Sequence, residues 1–129
     1  MSNSMSRVII APADEPNAGG PYSPGLVVDG WVFLAGQGGF DPQSGELGPS
    51  LTLRTTQALE NIASLLREAD CSLNDVVSCL VHLVDLADFP AFNAVYEQKF
   101  TGVKPVRTTV RADLVAGLLV EITVVARAS

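Results

Sequence analysis

The sequence predicts an α+β protein in which two helices pack on one face of a mixed β-sheet. Two observations carry this prediction. Segments of strand and helix character follow one another in the order β-β-β-α-β-α-β-β. The chain also has 129 residues, of which 47% are hydrophobic and 17% are charged, the size and composition of one ordered domain. We therefore expect residues 1–129 to form a single domain, with residues 1–6 disordered.

Three short strands are predicted in the first third of the chain. Residues 7–10 form the first, and residues 26–37 form two more that are joined by a turn at Asp29-Gly30. An Asp-Gly pair between apolar runs is typical of a two-residue β-hairpin. Glycine and proline mark the preceding segment, 14–25, as a loop.

Two helices are predicted from the spacing of apolar residues. The first runs for about twenty residues from Pro49 and Ser50, with Ser50 or Thr52 as its N-cap. The second begins at Asp88. Each has an apolar side that we expect in the core. These sides consist of Thr55, Ala58, Leu59, Ile62, Leu65, Leu66 and Ala69 in the first helix, and of Phe92, Val95, Tyr96 and Phe100 in the second.

The remaining strands are predicted at 75–86, around Arg107 and at 118–126. Segment 75–86 is so rich in apolar and β-branched residues that we expect a central strand buried on both faces. Each helix lies between two strands, so right-handed crossovers would place both helices on one face of the sheet. The other face carries Val, Leu and Thr rather than Lys and Glu, which predicts that it associates with another subunit.

The charge distribution argues against nucleic acid as a partner but points to a smaller anion. The net charge is −6 and the pI is about 4.5, a balance that repels phosphate backbones. Half of the eight basic residues nevertheless fall between Glu97 and Asp113, where no acidic residue occurs. They are Lys99, Lys104, Arg107 and Arg111. Strand alternation places the two arginines on the same face, so we expect an anion beside them.

The cysteines and the single histidine give no sign of a metal site. Cys71 and Cys79 do not form a disulfide framework or a zinc motif, and both are interpreted as structural. His82 lies in an apolar strand without a nucleophile-elbow motif, and we interpret it as a structural histidine with satisfied hydrogen bonds. No apolar run is long enough for a membrane helix and no signal peptide is evident, which predicts a cytoplasmic protein.

Glu121 is the acidic residue in the most apolar strand of the chain. The short link around 113–117 predicts that its strand pairs with the Arg107 strand, which would bring Glu121 close to Arg107 and Thr109. Two interpretations remain open. The pair could be a structural ion pair across the sheet. Alternatively, an anion-binding arginine could lie beside a carboxylate that holds water or a proton.

Other candidate residues lie in loops and on the second helix. Tyr22 follows a Gly-rich stretch, and Gly36 lies in LAGQGG, where backbone N–H groups could contact an anion. Asn93 could contact a ligand from the second helix. Taken singly, each is as well explained by turn chemistry or by an exposed polar position.

A series of short motifs resembles the reactive intermediate deaminase family, also called Rid or YjgF and often named endoribonuclease L-PSP. Each motif is weak alone, but together they occur in the family's order over almost the whole chain. They are GPYS at 20–23, GQ at 36–37, DPQSGE at 41–46, DFPAFNAVY at 88–96, PVRTTV at 105–110 and VEITVVA at 120–126.

The resemblance implies a chorismate mutase-like, YjgF-type fold and a homotrimer with a central barrel and sites between subunits. It also implies hydrolysis of reactive enamines and imines such as 2-aminoacrylate to 2-oxo acids and ammonia, without a metal or organic cofactor. The substrate would be a small carboxylate-bearing imine. Alternative functions are a non-catalytic ligand-binding or chaperone-like trimer and, less in keeping with the charge, an endoribonuclease or translation inhibitor.

The resemblance also implies roles for individual residues. Arg107 matches the arginine that binds the substrate carboxylate, and Glu121 matches the glutamate that orients the attacking water. Tyr22, Asn93 and the backbone of Gly36 match positions that line the site. This chain departs from the family at two further site positions, since Ala35 replaces a common serine and Thr109 replaces a common cysteine. Arg111 receives no role.

Overall fold

A computed structural model describes residues 6–12 and 20–128 of the chain. The predicted disorder at the N-terminus lies outside these residues except for Ser6, as does the first half of the loop predicted at 14–25. The element order β-β-β-α-β-α-β-β is confirmed. The strands are β1 (Arg7–Ile10), β2 (Gly25–Val28), β3 (Trp31–Leu34), β4 (Val76–Leu83), β5 (Val106–Arg111) and β6 (Val120–Arg127), and the helices are α1 (Leu51–Arg67) and α2 (Phe89–Lys99).

The six strands form one mixed sheet in the order β1-β2-β3-β6-β4-β5. Only β4 and β5 pair in parallel, and all other neighbours are antiparallel. The prediction that β5 and β6 are neighbours is wrong, because β4 lies between them. The link between β5 and β6 is therefore not a hairpin, and β5 is an edge strand.

The hairpin between β2 and β3 forms as predicted. Asp29 and Gly30 both have positive φ angles, 51° and 79°, as a type I′ turn requires. This turn matches the right-handed twist of the strands. The pairing Val28↔Trp31 next to the turn follows from the two-residue loop.

Both helices cover the same face of the sheet and close one core. The Ser50 side chain accepts a hydrogen bond from the Leu53 N–H at 3.2 Å, so Ser50, not Thr52, is the N-cap of α1. Asp88 precedes α2 but makes no side-chain cap bond. The predicted apolar sides are buried, except that Ala69 lies beyond the end of α1 and is only partly buried.

The sheet face that the helices leave uncovered is apolar, as predicted. It carries exposed side chains from several strands, among them Phe33, Leu80 and Val106 at 45%, 39% and 70% exposure. The prediction that β4 is buried on both faces is wrong for a single chain. Val81 and Leu83 are fully buried on the helix side, whereas Leu80 is open on the other. The apolar residues of β4 therefore lie in two different environments: those on one face are buried beneath the helices, and those on the other face are exposed in a single chain.

Candidate functional site

Arg107 lies on the helix-covered face of β5, at the edge of the sheet, against α2. Its Nη1 donates a hydrogen bond to Oδ1 of Asn93 at 2.7 Å. The guanidinium carbon also lies 4.7 Å from the ring centre of Tyr96, 5.4 Å from that of Phe89 and 5.8 Å from that of Phe92. Arg107 and Asn93, proposed separately from the sequence, therefore meet in one site.

The three aromatic residues around Arg107 were not recognised as site residues in the sequence. Phe89, Phe92 and Tyr96 recur at intervals of three and four on α2, so they share one side of the helix. In the sequence, Phe92 and Tyr96 indicate only the core side of α2, and Phe89 receives no role. The rings hold the guanidinium by cation–π contact and shield it from water on one side.

Two further polar groups near Arg107 are buried. Thr109 follows Arg107 on the same face, and its Oγ1 is buried without a hydrogen-bond partner in the described part of the chain. Cys79 pairs with Arg107 across the parallel strands. Burial raises the pKa of the Cys79 thiol, which the nearby Arg107 charge only partly opposes. Cys79 therefore stays a thiol at neutral pH and is not an activated nucleophile.

Glu121 lies on the uncovered face of the sheet, against the backbone of Gly36. A β-carbon on Gly36 would lie 2.6 Å from Cδ of Glu121, closer than side chains approach one another. Residue 36 must therefore be glycine if the carboxyl group is to lie there. Gln37 continues beside β6, where its backbone exchanges two hydrogen bonds of 2.9 Å with Ile122. Gly36 thus leaves the space that the Glu121 carboxyl group occupies.

Ala35 and Tyr22 belong to the same end of the sheet as Gly36. The N–H of Ala35 donates to the carbonyl of Pro24 at 2.9 Å, which ties the end of β3 to the loop that carries Tyr22. Tyr22 is exposed on that loop. Ala35 thus connects the segment that contacts Glu121 to the loop that carries Tyr22.

The predicted proximity of Glu121 to Arg107 is wrong. On β4, Cys79 pairs with Arg107, whereas His82, three residues on, pairs with Glu121. Since alternate residues of a strand face opposite sides, Arg107 is on the helix face and Glu121 on the uncovered face. A structural Arg107–Glu121 ion pair is thereby excluded within one chain. No carboxylate of the described residues lies within 4 Å of the Arg107 guanidinium.

The other basic residues of the 97–113 region do not share this site. Lys99 forms an ion pair of 3.8 Å with Glu60 of α1. Lys104 donates to the backbone carbonyl of Phe100. Arg111 is exposed at the end of β5. The cationic region is therefore divided among separate partners, and Arg107 is the member placed in a pocket of side chains.

His82 does not have the satisfied hydrogen bonds that the sequence suggested. The side chain is half-buried, and Nδ1 is buried without a hydrogen-bond partner among residues 6–12 and 20–128. No sequence signal indicates this, because the environment of His82 depends on which strands flank β4.

No metal-binding group emerges from the side chains that the structure places. Within the described ranges, no three His, Cys, Asp or Glu side chains are grouped so that they could hold a metal ion. In the same ranges, neither helix has the length and apolar character that crossing a bilayer requires.

Comparison with known proteins gives one consistent family. Residues 12–128 match the family model described as endoribonuclease L-PSP. A goat (Capra hircus) protein named 2-iminobutanoate/2-iminopropanoate deaminase is 41% identical over 126 residues, 96% of this chain and 92% of the relative.

Solved structures agree with this assignment. RidA from the Antarctic bacterium Psychrobacter sp. PAMC 21119 superposes with a TM-score of 0.89 at 36% identity, covering 94% of this chain and 99% of the other. E. coli TdcF, solved with bound serine, gives a TM-score of 0.88 at 31% identity, covering 95% and 99%. The resemblance seen in the short motifs is thus confirmed, and the chain belongs to the endoribonuclease L-PSP family, the RidA/YjgF proteins.

Proposed function

We propose that this chain hydrolyses reactive imines, and enamines after their tautomerisation to imines, to 2-oxo acids and ammonia. Relatives along the whole chain are named as deaminases of 2-iminobutanoate and 2-iminopropanoate. The observation that carries the proposal is the guanidinium of Arg107, which is held by Asn93 and three aromatic rings without a carboxylate within 4 Å in the described chain.

Arg107 is suited to bind the carboxylate of a 2-imino acid. One of its N–H groups donates to Asn93, which fixes the plane of the guanidinium and leaves other donors for a ligand. A planar fork binds a carboxylate through two parallel hydrogen bonds, which a lysine ammonium does not reproduce. The carboxylate would thereby hold the imine carbon in a fixed position.

Glu121 would supply the acceptor for the attacking water. The water adds its oxygen to the carbon of the C=N bond while that nitrogen takes up a proton, which gives a carbinolamine. The hydroxyl proton then passes to the nitrogen as the C–N bond breaks, so that ammonia leaves and the oxygen remains as the carbonyl of the 2-oxo acid. An imine is already electrophilic, so holding substrate and water together accounts for much of the required acceleration.

A complete site requires two copies of the chain. Arg107 and Glu121 lie on opposite faces of one sheet with β4 between their strands. The uncovered apolar face that carries Glu121 would be buried by a neighbour, and β5 is an edge strand that a neighbour could approach. We therefore propose a homotrimer with a central barrel, in which Arg107, Asn93 and Thr109 of one copy face Glu121, Gly36, Ala35 and Tyr22 of the next.

A second candidate is a trimer that binds small carboxylates without turning them over. Ala35 favours it, because alanine lacks the hydroxyl that a serine would offer beside Gly36. The TdcF structure with bound serine shows that a protein of this family holds a small amino acid. Cleavage of RNA is disfavoured by the net charge of −6 and by a single histidine.

The experiment that tests the proposal measures ammonia release from 2-iminopropanoate and 2-iminobutanoate generated in the assay. The wild-type protein should accelerate release above spontaneous hydrolysis, and Arg107→Ala should abolish the acceleration. Glu46→Gln, a change at an exposed glutamate in a turn, serves as the matched control and should be as active as the wild type. If the wild type does not accelerate ammonia release but binds serine saturably, the second candidate function, binding of small carboxylates without turnover, would be supported instead.

A further inference from the structure

The LAGQGG segment, 34–39, is in close contact with the chain on two sides. A β-carbon on Gly38 would lie 2.3 Å from Cδ2 of Leu118, which precedes β6. A β-carbon on Gly39 would lie 2.3 Å from the backbone oxygen of Arg54, in the first turn of α1. The segment is therefore enclosed between the start of β6 and the first turn of α1.

The Arg54 side chain connects the two parts of the chain that enclose this segment. Its Nε donates a hydrogen bond to the carbonyl of Gly48 at 2.7 Å, and its Nη1 donates one to the carbonyl of Gly117 at 3.1 Å. Gly48 lies at the end of the loop that leads from segment 34–39 to α1, and Gly117 immediately precedes Leu118. In the described part of the chain, no carboxylate lies within 4.0 Å of the guanidinium. Two backbone carbonyls, rather than an ion pair, therefore hold this side chain.

Arginine is the side chain suited to make both of these bonds. Its five N–H groups lie in one plane and point in different directions, so one guanidinium can bind two separate carbonyls in a fixed geometry. A lysine ammonium on its flexible stem does not reproduce this fork. Arg54 thereby fixes α1 relative to the start of β6. Because the contacts with the glycines are close-packed, a shift of either wall would move Gly36 against the carboxyl group of Glu121.

We propose that Arg54 is a positioning residue for the Glu121 carboxyl group and the Gly36 backbone, an inference that rests on the proposed deaminase function. Arg54 contacts neither the substrate nor the water, and it acts by holding the backbone against which the carboxyl group lies. Its hydrogen bonds do not reach Arg107 or Asn93, which lie on β5 and α2. Loss of Arg54 should therefore disturb the orientation of the water, and hence kcat, while carboxylate binding at Arg107, and hence KM, is retained.

The test replaces Arg54 by methionine, which keeps an unbranched stem and a good helix propensity but has no donor. We expect Arg54→Met to lower kcat by about 10-fold with KM unchanged, within the loss of about 100-fold that a misplacement of about 1 Å can cause. Arg54→Lys keeps the charge and one donor group, and it should lose kcat in the same way if the methionine variant does not assemble. Arg67→Met, at an exposed arginine in the last turn of α1, is the matched control and should be as active as the wild type.

Two double variants separate this role from a general loosening of the fold. Gly36→Ala adds a methyl group against Glu121 and so displaces the same carboxyl group directly. If Arg54 acts through that contact, the effects of Arg54→Met and Gly36→Ala on kcat/KM should not multiply. The effects of Arg54→Met and Arg107→Lys, which concern different halves of the site, should multiply.

Amide hydrogen exchange provides a readout that does not depend on turnover. The Gln37 N–H donates to the carbonyl of Ile122 on β6 at 2.9 Å. Arg54→Met should speed exchange of this amide by about 10-fold, the weakening expected when a hydrogen bond from a charged group is lost. The amides of β4, which lies between β6 and β5, should exchange as in the wild type.

Several outcomes would overturn the inference. They are a wild-type kcat in both Arg54 variants, a loss confined to KM, effects of Arg54→Met and Gly36→Ala that multiply, and unchanged exchange at Gln37 in Arg54→Met. If the wild type itself released no ammonia, the proposed function would fail and the role of Arg54 in turnover would fail with it. That outcome is read from the wild type alone, so it is distinct from a failure of the Arg54 variants.

Discussion

Nη1 of Arg107 donates a hydrogen bond to Oδ1 of Asn93 at 2.7 Å, which joins the edge strand β5 to the helix α2. This bond and the ring of Tyr96, 4.7 Å from the guanidinium carbon, hold the arginine on two sides. Its direction is therefore determined before any ligand binds. A pre-oriented guanidinium loses less conformational freedom on binding than a mobile surface arginine does.

Arg107→Lys should lower kcat/KM for 2-iminopropanoate by at least about 10-fold. Lysine keeps the charge but loses the planar fork, and one charge-assisted hydrogen bond is worth about 1.5–3 kcal/mol. The matched control is Arg111→Lys on the same strand, because Arg111 is exposed and should leave turnover unchanged. Wild-type turnover in the Arg107→Lys variant would contradict the role of Arg107 in binding the carboxylate.

Asn93→Asp should raise KM by about 10-fold or more while the protein stays folded. The substitution places a carboxylate where Oδ1 already accepts from Arg107, so the new ion pair competes with the substrate carboxylate. Steady-state kinetics should show the loss in KM rather than in kcat. Asn74→Asp, at an exposed position, is the control for the added charge. An unchanged KM would mean that the substrate does not use this guanidinium.

Unfolding experiments should show a loss of stability above about pH 9. Burial raises the pKa of the Cys79 thiol above its ordinary value of 9.0, and burial likewise raises the pKa of Tyr96. The folded state thus keeps these protons at a pH where the unfolded chain releases them. The resulting stabilisation is complete below pH 9 and is lost as the pH rises through the raised values.

Urea midpoints measured from pH 8 to pH 10.5 check this expectation. Cys79→Val removes the thiol from the core and should make the decline above pH 9 shallower than in the wild type. Tyr96 remains in that variant, so some decline should persist. Burial also raises the pKa of the Cys71 thiol, so a wild-type midpoint that stays constant across the range would show that Cys71, Cys79 and Tyr96 titrate alike in the folded and unfolded states.

The sequence predicted those features that depend on neighbours along the chain. Apolar residues at helical spacing identified the buried side of α1, and Ser50 was one of two candidate caps because a Ser side chain can accept from the backbone N–H three residues on. The Asp29-Gly30 turn followed from the φ angles that this dipeptide tolerates. In each case a local rule and the folded structure coincide.

The features that the sequence did not predict depend on which strands lie side by side. The short link suggests that β5 and β6 are neighbours. In the structure β4 pairs with both strands and therefore lies between them. This one error placed Glu121 beside Arg107. It also concealed that His82 lies opposite Glu121, because a cross-strand pair is visible only once the register is known.

The last prediction concerns the division of the site between subunits. Arg107→Ala and Glu121→Gln should each be inactive alone, because every site in a homotrimer then lacks one group. If each site takes Arg107 from one copy and Glu121 from the next, subunits of the two kinds complement one another. Unfolding and refolding an equal mixture should leave about one quarter of the sites intact, by random assortment around a closed ring.

The measurement is ammonia release by the refolded mixture, with sedimentation to establish the assembly state. The first control is each variant refolded alone. The second control refolds the double variant with wild type: a site between chains is then intact only where both copies are wild type, again about one quarter of the sites, whereas a site within one chain would be intact in about one half. Recovery of activity in the mixture of single variants would require a site that spans two chains. An active monomer, or a trimer in which the mixture stays inactive, would mean that Arg107 and Glu121 of one chain come together by a rearrangement of the sheet.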